Sequence, residues 1–168
     1  MKIRSLLIAL FSILVVATAQ AAPRELDWID LLPENERGSY DLAPPPPSHD
    51  YLSGESGGLA AQQRMNFNVN KALEGVEVKI PGFIVPLELD EKGLVTEFFL
   101  VPYFGACIHV PPPPANQMVF VVMNKGLSLD SMYAAYWITG KMGTKSKSTR
   151  LGAAAYTLTG TAVEEYKF

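Results

Sequence analysis

The sequence predicts a mainly β fold: a small, bent antiparallel barrel of the OB kind with about five strands, preceded by an irregular, proline-rich leader. Three observations lead there. Short runs rich in β-branched and aromatic residues recur from Val76 to the C-terminus, turn residues separate them, and no long stretch holds a helical period. Five such runs within about 90 residues suit a small barrel better than a sandwich of seven or more strands. A β-sandwich fragment or an SH3-like barrel is the next choice.

The elements follow in order. In MKIRSLLIALFSILVVATAQA, Lys2 and Arg4 precede an apolar run from Leu6 to Ala17, and the small residues Ala19 and Ala21 follow. This is the layout of a secretory signal peptide over residues 1–21, cut after Ala21. The run is shorter than the roughly 20 residues of a spanning helix, so the expected product is periplasmic and does not span the membrane. Residues 22–72 form the leader. ELDWIDLLPENE spaces Leu26, Ile29 and Leu32 three apart, with Trp28 and Leu31 beside them, and predicts one or two helical turns before Pro33. DLAPPPPSHDYLSGESGGLAAQQ reads as an extended linker or surface wrap.

The barrel domain is expected over residues 73–168. VEVKIPGFIVPLEL is a strand with a bulge or sharp bend at Pro81-Gly82, because proline cannot donate to the ladder. Asp90-Glu91-Lys92-Gly93 supplies a turn, with Gly93 free to take positive φ, and TEFFLVPYF returns as a hairpin partner. NQMVFVVMN, MYAAYWITG and AAYTLTGTAVEEY complete the set, with the polar GTKSKSTR as a hairpin tip. The aromatic residues Tyr133, Tyr136 and Trp137 are expected in the core, with ligand binding the alternative use of such a cluster.

Charge narrows the function classes. Removal of the signal takes away Lys2 and Arg4 and no acid, leaving 12 basic against 17 acidic side chains and a net charge of −5. That balance argues against a nucleic-acid partner. Lys141, Lys145, Lys147 and Arg150 stand apart as a basic hairpin, which a solvated loop explains and which also suits anionic lipid heads.

The chemistry concentrates in GACIHVPPPPANQ. Cys107 is the one cysteine, which excludes an intramolecular disulfide, and it stands two residues before His109, one of two histidines. In an extended strand those side chains share a face. Pro111, Pro112, Pro113 and Pro114 then form a stiff, donor-free spacer of about 12 Å. Three uses compete. Thiolate and imidazole suit zinc or another soft metal, with His49, Asp50, Glu88 or Glu97 needed to complete a site. A thiol-dependent enzyme would use Cys107 with a histidine base. A recognition rim would use Tyr103, the four prolines, Asn116 and Gln117, with Phe104 also flanking the tract. The plain structural alternatives are a packed Cys/His pair and a loop that caps the barrel.

The strings PGFIVPLELD, EFFLVPYFGACIHVPPPPANQMV and WITGKM, together with LDWIDLLP in the leader, make the sequence resemble a group of exported bacterial proteins catalogued as a domain of unknown function. The resemblance implies a small periplasmic β-protein whose gene often lies beside ABC-transporter components, sometimes in zinc-responsive clusters. It implies no catalytic role for Cys107, His109 or the residues around them. The expected function is a soluble periplasmic binding or accessory protein, partnered by an ABC transporter or another envelope protein.

Overall fold

A computed structural model describes residues 22–39, 63–106, 112–129 and 133–167. The strands are β1 (Arg24–Glu25), β2 (Glu77–Leu89), β3 (Val95–Val101), β4 (Val119–Leu127), β5 (Ala135–Gly143), β6 (Lys147–Ser148), β7 (Ala153–Ala154) and β8 (Tyr156–Glu165). Single 3-10 turns form at Trp28–Leu31, Glu34–Ser39, Lys71–Leu73 and Ala115–Gln117. The leader segment ELDWIDLL thus makes the short helical turn its spacing predicts.

The sheet runs β1-β2-β3-β4-β8-β5, and a further β2–β5 pairing closes it into a five-stranded barrel with β1 added outside the ring. This is the OB-like strand order. The expected antiparallel arrangement holds at four of the five contacts around the ring, and the fifth, β4 with β8, is parallel. The last strand slots between β4 and β5, and the ring closes mixed.

Closure depends on β2, which is long enough for two partners. Its first half, Glu77 to Phe83, pairs with β5, and its second half, Phe83 to Leu89, pairs with β3. The strand changes partner at Gly82–Phe83, next to the Pro81-Gly82 break in the sequence. Pairing with β5 runs unbroken through Pro81, and the bulge falls later, around Pro86 to Glu88. Pro86 also lacks a donor, so the ladder gives way there. Gly82 permits the change, since a Cβ would come 2.7 Å from the Val101 carbonyl oxygen and 2.9 Å from Leu100 Cγ.

The turn before β3 forms as its residues dictate. Gly93 takes φ +77°, and Asp90 Oδ1 accepts from the backbone N–H groups of Lys92 and Leu94, both at 2.9 Å.

Alternation along the strands sorts side chains into two clusters. Val78, Ile80, Ile84, Phe98, Leu100, Val119, Val121, Ile138, Met142 and Leu158 fill the barrel. Leu26, Trp28 and Leu31 of the leader and Tyr156 belong to the same core. Leader and barrel therefore bury one continuous apolar surface. Outside the ring, Val85, Phe99, Val101 and Phe120 form a second cluster with Ala106, Met118 and Ala154. Of the aromatic trio expected in the core, Tyr136 is buried, Trp137 is half-buried and Tyr133 is exposed.

Candidate binding surface

The connection between β3 and β4 carries the motif. After Val101 the chain turns through Tyr103, Phe104 and Gly105, which takes φ +81°, and Ala106 tucks fully into the outer cluster. Cys107, Ile108, His109, Val110 and Pro111 lie outside the described residues, as do His49 and Asp50. Glu88 and Glu97 are register partners on β2 and β3. Among the described residues no group of three or more His, Cys, Asp or Glu is placed to hold a metal.

Past the motif's centre the chain is built into the body. Pro112 and Pro114 are half-buried and Pro113 is buried. The Pro113 carbonyl accepts from Gln63 Nε2 at 3.0 Å, and Ala115 N donates to the Arg64 carbonyl at 3.0 Å. Ala155 N donates in turn to the Ala115 carbonyl at 2.7 Å. The tract is held between the returning leader and the approach to β8.

Asn116 and Gln117 are buried and face inward, toward the leader. Asn116 Nδ2 donates to the Asn68 carbonyl at 3.1 Å and reaches Glu36 Oε2 at 3.5 Å. The same carboxylate group receives the side-chain amides of Asn66 and Asn68. Gln117 Nε2 donates to the carbonyls of Trp28 at 3.2 Å and Asn116 at 3.0 Å, which fixes the orientation of the amide. Trp28 Nε1 donates to the Pro81 carbonyl at 2.8 Å, so the leader's 3-10 turn is tied to both β2 and the motif.

Tyr156 completes this lock. Its hydroxyl donates to the Leu31 carbonyl and accepts from Asn70 N at 2.6 Å. Burial pushes its pKa up to about 12, against the lowering influence of the Asn70 N–H bond and the Arg37 charge.

What reaches solvent near the motif is aromatic. Phe104 is 48% exposed and Tyr133 77% exposed, with ring centroids 5.5 Å apart. Phe83 meets Phe104 edge-on at 5.8 Å, and Tyr103 is half-buried against the outer cluster. Of the predicted rim, Tyr103, Pro112 and Pro114 remain partly accessible, while Asn116 and Gln117 act as tethers. Phe104 flanks the tract as the sequence places it, and Tyr133, expected in the core, is exposed; the Gln63 clamp has no counterpart among the residues the sequence singled out. The one available signal was the amide-rich alternation of QQRMNFNVN.

The family model for "Protein of unknown function (DUF3299)" matches residues 28–165. The chain belongs to this family. The DUF3299 match begins at Trp28, so it takes in the leader turn as well as the barrel, in keeping with their shared core. The crystal structure of a DUF3299 family protein from Pseudomonas aeruginosa PAO1 is similar, with 45% sequence identity and a TM-score of 0.72 over 88% of this chain and 99% of that one. No curated protein matches.

Proposed function

We propose that this DUF3299 protein is an exported binding or accessory component of an ABC-type envelope transport system, and that it meets its partner through the surface around Phe104 and Tyr133. The observation that carries the reading is that aromatic pair: two large rings in mutual contact and open to solvent, one of them in the connection that leads from β3 into the motif. Exposed aromatic residues on an anchored base are what protein interfaces use as hot spots, because they give much contact area for little loss of side-chain freedom. The secretory layout of residues 1–21 supports export, and the resemblance to proteins encoded beside transporter genes supports the class of partner.

The test is a photo-crosslinking residue in place of Tyr133 in the full chain, expressed in intact cells. The expected product is an adduct with a transporter subunit. The control position is Leu89, also a large exposed hydrophobic residue, which lies at the C-terminal end of β2. No adduct, or the same adducts from both positions, would overturn the reading.

Cys107 and His109 are proposed, on their ligand chemistry and their spacing, as a pair for zinc or another soft metal. Zinc titration of the mature chain is expected to show one equivalent bound, lost in Cys107→Ser and in His109→Ala. Uptake unchanged in both variants removes the metal from the proposal.

A further inference from the structure

Charge is sorted along this chain. Between Glu55 and Glu74, and again between Asp130 and Glu164, there is no acidic residue, although the sequence as a whole carries more acid than base. The two stretches meet in the fold. Gln63 Nε2 donates to the Ala153 carbonyl at 2.7 Å, and Ala153 N donates to Gln63 Oε1 at 2.8 Å. Gln63 of the first stretch therefore lies against the β6–β7 hairpin of the second, where Lys147 pairs with Ala154 and Ser148 with Ala153.

That junction also exposes large apolar side chains. Leu151 at the hairpin tip, next to Arg150, is 50% exposed, while Met65 and Phe67 are 59% and 41% exposed. Asn66 and Asn68 turn their side chains to Glu36, which leaves Met65 and Phe67 on the alternate positions of the same segment. Arg64 adjoins Met65 in the chain, Arg150 adjoins Leu151, and Lys145 and Lys147 belong to the same hairpin segment, all exposed. Lys147 Nζ lies 5.1 Å from the Phe120 ring centroid and so points back over the barrel. Two acids are near. Glu74 is engaged by the backbone and hydroxyl of Thr144, both at 2.6 Å, and Glu36 by the asparagine amides.

We infer that this end of the molecule docks onto a bilayer surface carrying anionic headgroups. Leu151, Met65 and Phe67 enter the boundary between headgroups and acyl chains, and Arg64, Lys145 and Arg150 remain among the phosphates. Apolar side chains and cations side by side are the two ingredients of interfacial binding, and each alone is weak. A partner protein would be served by the apolar residues alone, whereas a cationic stretch on an acidic protein, with Glu74 held by Thr144 and Glu36 by asparagine amides, is complementary to anionic lipid. The inference goes beyond the proposed transporter contact at Tyr133 and stands independently of it.

The experiment is co-sedimentation of the mature chain with vesicles of phosphatidylcholine alone or with phosphatidylglycerol added. Binding is expected only with phosphatidylglycerol, and is expected to fall at least tenfold when salt shortens the screening length to about 3 Å. Lys145→Glu with Arg150→Glu, and separately Met65→Ser with Leu151→Ser, are each expected to lower it tenfold or more, with unchanged thermal melts. All these side chains are exposed, so folding is preserved. Replacement of Tyr133 is expected to leave vesicle binding intact, which separates failure here from failure of the transporter contact. Absence of binding to either vesicle, equal binding to both, or binding unmoved by both double variants would overturn the inference.

Discussion

Gln63 embraces both backbone groups of Ala153, giving a hydrogen to its carbonyl at 2.7 Å and taking one from its N–H at 2.8 Å. One side-chain amide thus acts as a missing strand residue, pairing the edge of the β6–β7 hairpin with the returning leader. The same Nε2 also reaches the Pro113 carbonyl.

Gln63→Ala is expected to leave buried backbone groups unpaired and to cost about 1–3 kcal/mol. Urea unfolding measures the total, and hydrogen exchange measures where it falls. Faster exchange at Ala153 with no change at Val121, deep in the barrel, is the expected pattern. A uniform effect across the sheet would mean that the clamp is not local.

Trp28 ties leader to barrel through its buried ring and through its bond to the Pro81 carbonyl. Trp28→Ala is expected to destabilise the whole domain by about 3–5 kcal/mol. That is a large share of the 5–15 kcal/mol typical of a folded domain. If the leader were a detachable wrap, the barrel's melting temperature would hardly move.

Tyr156 makes stability sensitive to alkali. Its phenol titrates normally near 10 and is raised to about 12 in the folded chain, chiefly by burial. Folding therefore favours the neutral form, so its contribution is complete below pH 10 and is lost as pH climbs to about 12. Tyr156→Phe is expected to be about 1–3 kcal/mol less stable at neutral pH, because the Leu31 carbonyl and Asn70 N–H lose a partner. Between pH 10 and 12 the gap between the two proteins is expected to narrow. Parallel stability curves across that window would show that another group is responsible.

The strands were legible because their signals are local. Val76 to Leu89, Thr96 to Val101 and Tyr156 to Glu165 alternate, or run apolar, as buried sheet does, and Asp90 to Gly93 carries its turn chemistry in four residues. The parallel β4–β8 pairing left no local trace, since it joins Val119 to Tyr156 across three intervening strands. The motif's polar end shows the same limit. Asn116 and Gln117 read as rim residues because they flank a preorganised proline tract with amide groups, and only the arrival of Trp28 and Asn68 from far along the chain buries them. Tyr133 was misplaced for the opposite reason, because rings in a strand-rich sequence are usually core, while Tyr133, like Phe104 beside the motif, stands in a connection between strands.

The place of β8 between β4 and β5 has a consequence for biogenesis. A polypeptide threaded out from its amino end delivers four ring strands first, with a gap awaiting the final one. Until Tyr156 to Glu165 emerges, β4 and β5 each present an open edge that invites misjoining with another chain. The barrel therefore cannot close piecemeal, and its vulnerable interval lasts until the last ring strand is available.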